Sequence, residues 1–299
     1  MTEILVGTAS WTDKALVASG LFYPDEAKSP ADRLRYYATQ FPLVEVDSSH
    51  ASFPTLRNTI LWAQRTPTQF VFDVKAFRLF TQHQTDLRTM PRDIRQALGS
   101  SGKTSLFYRD VPAELREDLW ARFALAISPL RQAGKLGVVL LQFPPWFVPS
   151  QASYHHIIEC IERLSGFKVA VEFRNRAWFE GDHPERIWHF EREHKLAHVV
   201  VDEPQGFSSS IPALWEATSA EVAVVRLHGR NRDTWEAKGL HASAERFKYL
   251  YAADELDGLA DSVRELSKHV KSVHVLFNNN FADYAQRNAA AFRQLAPPK

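Results

Sequence analysis

Eight short runs of β-branched and aliphatic residues, separated by segments with helical patterning, constrain the fold of this chain more than any single motif. They cover residues 4–7, 43–46, 70–74, 136–141, 168–173, 197–201, 222–227 and 272–277. Strands that alternate with helices form parallel βαβ units, and eight units are the number in a closed TIM-type (β/α)8 barrel. In such a barrel the chemistry sits at the C-terminal ends of the strands. Here those ends are polar: Thr8-Ala9-Ser10-Trp11, Asp47-Ser48-Ser49-His50, Lys75-Ala76, Gln142-Phe143-Pro144, Arg174-Asn175-Arg176, Asp202-Glu203-Pro204, His228-Gly229-Arg230 and Asn278-Asn279-Asn280.

The 299 residues fit one α/β barrel domain spanning 1–299, and no Gly/Ser-rich linker divides them. Helices are expected over 31–41, 54–65, 112–132, 150–164, 184–195, 253–270 and 283–295. The first opens with a Ser29 cap followed by Pro30. Between the sixth and seventh runs only 212–218 has a helical pattern. The connection between the third and fourth runs is too long for a plain crossover, so an insertion of about residues 80–135 is expected as a lid over the barrel mouth. The formal net charge of +1 argues against a broad nucleic-acid or anionic-membrane surface and confines polyanion binding to a cleft. The one cysteine, Cys160, stands among Ile157, Ile158, Ile161 and Leu164 and reads as a buried structural thiol. Met1-Thr2-Glu3 leads directly into the first strand without a signal pattern, and no apolar run is long enough to span a bilayer. The expected location is cytoplasmic.

Strand alternation selects the inward-facing polar residues. Glu45 pairs in direction with Asp47, Asp73 with Lys75, Glu172 with Arg174, and Arg226 with His228 and Arg230. Asp202 and Asn278 end their own runs at similar height. Burial of so many charges requires pairing, so a structural network explains part of the set and a ligand site the remainder. The catalytic candidates are Glu172, Asp202 and His228, the last for its titration range. The ligand-binding candidates are Trp11, Asp47, Lys75, Gln142, Arg174, Arg226, Arg230, Trp235 and Asn278: cations for a phosphate or carboxylate, and rings for stacking on a sugar or base. No nucleotide-cofactor motif is present. A divalent metal on Glu172, Asp202 and His228 is the alternative cofactor, opposed by the neighbouring Arg174 and Arg226.

The motifs at these strand ends also carry a family resemblance. Gly7-Thr8-Ala9-Ser10-Trp11, Phe22-Tyr23-Pro24, Tyr36-Tyr37-Ala38, Glu45-Val46-Asp47-Ser48-Ser49, Lys75-Ala76, Leu141-Gln142-Phe143-Pro144-Pro145, Glu172-Phe173-Arg174, His228-Gly229-Arg230 and Phe277-Asn278-Asn279 resemble the successive motifs of the YecE-like family, the domain of unknown function number 72. The resemblance implies a TIM-type barrel and brings no activity with it. The family commonly has Asn followed by Ser-Thr-Phe-Tyr where Asp47-Ser48-Ser49-His50-Ala51 stands here, and it usually has His at the positions of Asn175 and Asn280. These departures imply altered specificity, or binding without turnover.

Three functions fit these observations. The first is an enzyme, a hydrolase or lyase, or a ligand binder, acting on a small anionic, sugar-like or nucleotide-like compound. The second is a metal-dependent phosphodiesterase or nuclease with a nucleic-acid partner, and the third is a noncatalytic binding or regulatory barrel.

Overall fold

The computed structural model describes residues 2–99, 104–207, 209–240 and 242–296. Its strands are β1 (Glu3–Ala9), β2 (Leu43–Val46), β3 (Val71–Lys75), β4 (Thr85–Asp86), β5 (Ser105–Leu106), β6 (Leu136–Gln142), β7 (Val169–Glu172), β8 (Ala197–Asp202), β9 (Val222–Leu227) and β10 (Ser272–Phe277). Eight of these close a parallel barrel in the order β1-β2-β3-β6-β7-β8-β9-β10 and back to β1, the TIM-type topology expected from the eight runs. The remaining two, β4 and β5, form an antiparallel pair inside the long third connection.

The helices are α1 (Lys14–Ser19), α2 (Pro30–Gln40), α3 (Ser48–Ala51), α4 (Leu56–Gln64), α5 (Arg92–Ala97), α6 (Ala113–Gln132), α7 (Gln151–Arg163), α8 (His183–Glu193), α9 (Ala253–Ser267) and α10 (Tyr284–Leu295). The start of α2 follows its sequence. Ser29 Oγ accepts from the Asp32 amide at 3.1 Å, Asp32 accepts from the Ser29 amide at 3.2 Å, and Pro30 needs no partner for an N–H. Segment 212–218 is not helical. Side chains hold this connection in an irregular path: Glu203 accepts from the Ile211 amide at 2.8 Å, and Thr218 Oγ1 donates to the Leu196 carbonyl while accepting from the His198 amide.

Alternation along the strands sorts the core into two layers. Val44, Val46, Phe72, Val74, Val171 and Val225 face outward to the helices, while Leu5, Leu43, Val138, Leu140, Val199, Val201 and Val224 fill the barrel interior. Below the mouth, polar groups interrupt that interior. Asp73 faces His274 Nδ1 at 2.9 Å and accepts from the Val138 amide at 2.9 Å. The β3–β6 register shifts here, and Gly137 is required, because a Cβ at that position would lie 2.2 Å from Asp73 Oδ1. Cys160 is fully buried, as expected.

The described start of the long third connection packs on the barrel flank. Phe77, Leu79 and Phe80 are fully buried, and Phe80 stacks on Trp120 of α6 with centroids 3.6 Å apart. The Phe80 carbonyl meets His156 Nε2 of α7 at 2.8 Å. These apolar side chains draw the segment onto the flank formed by α6 and α7. Within the segment expected as a lid, residues 80–135, the described residues Phe80 and Trp120 pack on this flank, and α6 is the crossover helix leading into β6.

Candidate functional site

The buried floor of the mouth is built on Arg226, which is 1% exposed. Its Nε and Nη2 donate to the two Glu45 oxygens at 2.9 and 2.7 Å, and Nη1 reaches Gln142 Oε1 at 3.1 Å and Glu172 Oε2. A guanidinium offers this planar fork and a lysine does not. Arg174 continues the network outward, 3.3 Å from Glu172 Oε1 and 2.8 Å from Glu203 Oε2. Burial pushes Glu172 up, but Arg226 chiefly, with His228 and Arg174, holds it well below the usual carboxylate range. For Glu203 burial wins over Arg174, and its pKa is raised. Burial likewise raises Glu45 against the pull of Arg226 and Lys75.

Above this floor lies a cavity of about 240 Å³ lined by Asp13, Asp47, Lys75, Gln142, Arg174, His228, Ala244, Phe247, Asn278 and Asn280. Lys75 Nζ donates to Asp47 Oδ1 at 2.8 Å, and Lys75 chiefly lowers the Asp47 carboxyl to about 2. Asn280 Nδ2 donates to Asn278 Oδ1 at 3.0 Å, which leaves the Asn278 amide nitrogen to face His228 Nδ1 at 2.8 Å. His228 therefore accepts at Nδ1 and carries its proton on Nε2. That Nε2 is buried, has no hydrogen-bond partner within 3.5 Å among the described residues, and lies 3.7 Å from Glu172 Oε1. Burial first, then Arg174 and Arg226, lower His228 to about 3 despite Glu172, so the ring is neutral over the physiological range.

Six of the residues singled out in the sequence, Asp47, Lys75, Gln142, Arg174, His228 and Asn278, come together around this cavity. Glu172 and Arg226 lie directly beneath it. Trp235 stands beside them, with the Arg174 guanidinium 5.6 Å from its ring centroid. Three others lie elsewhere. Trp11 is buried between barrel and helices, edge-on to Trp62 at 5.3 Å, with Nε1 bonded to the Pro30 carbonyl. Asp202 and Arg230 pair with each other outside the interior. Arg230 Nε and Nη2 donate to Asp202 Oδ1 at 3.1 and 2.8 Å, and Tyr251 donates to Oδ2 at 2.6 Å. The cause is alternation: Val199 and Val201 face inward, so the next inward residue is Glu203, and Gly229 (φ 84°) turns the chain before Arg230. A metal on Glu172, Asp202 and His228 does not fit this geometry. Guanidinium groups already cover both carboxylates, and no three-residue metal-ligating cluster occurs among the described residues.

Sequence reading missed Glu203, although the Val199-x-Val201-x-Glu203 pattern points to it. It also missed the roof. Ala244 and Phe247 come from the β9–β10 connection, which has no motif of its own. Asn175, at one position where the resemblance implies His, caps the following turn through the Ala177 amide, and Asn280, at the other, orients Asn278.

The sequence pattern described as "Protein of unknown function DUF72" matches residues 5–299. The chain belongs to the DUF72 family. The YecE-like resemblance names this same DUF72 family. "UPF0759 protein YunF" of Bacillus subtilis (strain 168) is 30% identical over 294 residues, covering 98% of this chain and 94% of that protein. A DUF72 family protein from Thermotoga maritima MSB8 has a crystal structure similar to this one, with a TM-score of 0.75 and 30% identity, covering 99% of this chain and 100% of that one. A DUF72 family protein from Enterococcus faecalis V583 shares the fold with a TM-score of 0.80 at 23% identity, covering 99% and 96% of the two chains. No helix among the described residues of this DUF72 protein is long and apolar enough to cross a membrane.

Proposed function

We propose that the barrel mouth binds and transforms a small oxygen-rich compound, anionic or sugar-like. The observation that carries this reading is the buried His228 Nε2–H, which has no hydrogen-bond acceptor within 3.5 Å among the described residues, Glu172 Oε1 standing off at 3.7 Å, although Nδ1 is fixed by Asn278. A buried donor without an acceptor is costly, and a ligand oxygen in the cavity would satisfy it. Lys75 and Arg174, each paired with a carboxylate, bring cations to the lining of the same cavity. The volume of about 240 Å³ limits the ligand to a compound smaller than a typical cofactor.

These environments assign roles. Glu172, held far below neutrality, is a fixed negative charge and not a proton carrier. His228, neutral with its proton on Nε2, donates to an oxygen on which charge develops instead of removing a proton. Glu203, raised by burial, does not line this cavity and acts on it through Arg174, whose guanidinium it holds at 2.8 Å. A metal-dependent phosphodiesterase would need ligands that converge, and Asp202 is turned away.

The experiment is a thermal-shift panel of sugar phosphates, sugar acids, small carboxylates and neutral monosaccharides on wild type and His228→Ala. A ligand at a hundred times its Kd adds about 2.7 kcal/mol to stability. The expected result is a stabilising hit that His228→Ala loses. A hit that persists in His228→Ala, or silence across the panel from folded wild type, rejects the reading. Silence favours a noncatalytic barrel.

A further inference from the structure

A cavity larger than that of the mouth lies elsewhere in the molecule. A cleft of about 730 Å³ lies on the flank, between the inserted third connection, the first turn of α6 and the start of α7. Its volume falls within the range of roughly 300–1,000 Å³ usual for nucleotide-sized and drug-sized ligands, whereas the mouth cavity lies below it.

The two sides of the cleft differ in chemistry. On one side stands Trp146, which is 57% exposed, an unusual position for an indole. It is nevertheless held in place: Nε1 donates to the Gln82 carbonyl at 3.2 Å, and the His83 ring lies edge-on at 5.9 Å. Its face is thus a fixed platform. On the other side are Arg109 and Arg116. Arg116 lies 4.9 Å from the Tyr108 ring centroid, and Arg109 lies 5.6 Å from that of Phe107. Neither guanidinium forms an ion pair among the described residues, and the Arg116 Nε is buried without a hydrogen-bond partner. The carboxylate in the cleft, Glu159, is already engaged, accepting from Tyr108 Oη at 2.6 Å, and that hydroxyl accepts in turn from Trp120 Nε1 at 3.0 Å. Glu159 is also held by His156 at 3.6 Å and feels the Arg116 charge, while neither guanidinium has a hydrogen-bonded carboxylate among the described residues and the indole face is open.

A rigid exposed ring opposite two unpaired guanidinium groups is complementary to a flat heteroaromatic ring joined to an anion. The ring stacks, and the anion takes charge-assisted hydrogen bonds. We infer that this flank cleft is a second ligand site, separate from the barrel mouth, for a compound with the chemistry of a mononucleotide: a flat ring bearing a phosphate or carboxylate. The inserted connection then serves to build this site against α7.

Titration calorimetry on the full chain with AMP, adenosine, inorganic phosphate and indole-3-acetate tests the inference. AMP or indole-3-acetate should bind at least tenfold more tightly than adenosine or phosphate, and the stronger of the two identifies the anion. Trp146→Ala and Arg116→Met should each weaken that ligand at least tenfold. Trp146→Phe should retain most of the affinity, because a ring remains for stacking. His228→Ala, at the mouth, should leave binding unchanged, which separates this site from the one proposed above. Absence of binding by both ring-bearing anions to folded wild type overturns the inference. So does binding that survives both Trp146→Ala and Arg116→Met, whether or not His228→Ala abolishes it.

Discussion

Arg226→Met tests the architecture of the mouth most directly. The substitution keeps much of the side-chain volume and removes the charge that Glu45 and Glu172 share. Arg226 is 1% exposed, and both carboxylates are fully buried. Removing one partner of a buried ion pair costs about 3–5 kcal/mol, because each carboxylate left behind loses its main counterion in a site without water, with only Arg174 near Glu172 and Lys75 acting on Glu45. At 2–3 °C per kcal/mol for a domain of this size, the thermal midpoint should fall by roughly 6–15 °C at pH 7.5. The pH dependence gives a sharper check. In wild type Glu172 is depressed below its unfolded pKa, so its contribution is present above the unfolded value of 4.5 and is lost as pH falls through the lower folded value. Without Arg226, burial dominates both carboxyls and raises them in the folded state. The folded variant then binds more protons than the unfolded chain, and its stability falls as pH rises above about 4.5. Urea unfolding of wild type and variant at pH 5 and pH 7.5 should therefore show a larger loss at the higher pH. Glu45→Gln/Arg226→Met should recover part of the loss. A variant within about 1 kcal/mol of wild type at pH 7.5, or one with the larger loss at pH 5, would refute the account of the floor as a desolvated charge network.

Other consequences follow from the same geometry. His228, lowered to about 3 in the folded chain from 6.5, contributes stability that is complete above 6.5 and is lost as pH falls toward 3. His228→Gln should flatten the acid limb of a stability-against-pH curve measured by chemical denaturation. Gly229→Ala should cost about 1–3 kcal/mol in chemical denaturation from the positive φ. The added Cβ would also lie 2.7 Å from that of Tyr249. Glu203→Gln should change the affinity or pH profile of a ligand at the mouth, while Asp202→Asn, whose partner Arg230 is 38% exposed, should leave mouth binding intact in the same titration. The reverse pattern would return the site to Asp202.

The architecture was legible because it rests on periodicity. A barrel strand buried on both faces must be continuously apolar, and its helices must supply the outer layer. Eight such runs therefore specify the fold whatever their loops do. The same alternation correctly grouped Lys75, Arg174, Arg226 and His228, whose strands run straight to the mouth. It failed where the backbone departs from the strand. Arg230 lies beyond the Gly229 turn, and Asp202 occupies the outward phase of β8 while Glu203 takes the inward one. Trp11 followed a strand end, as a stacking residue would, yet it is consumed by packing against Trp62 and Phe72.

The sequence by itself determined the barrel, the level at which charge enters its interior and most of the residues around the mouth, because these depend on local period and on burial. Only the tertiary structure decided which carboxylate each arginine meets, which imidazole nitrogen carries the proton, and where the insertion packs. Those outcomes depend on distances between residues far apart in the chain: Arg226 and Glu45 are separated by 181 positions and still share a bidentate hydrogen bond. Pairing at that range is set by barrel closure and by the cost of leaving a buried charge alone, and no local pattern encodes it.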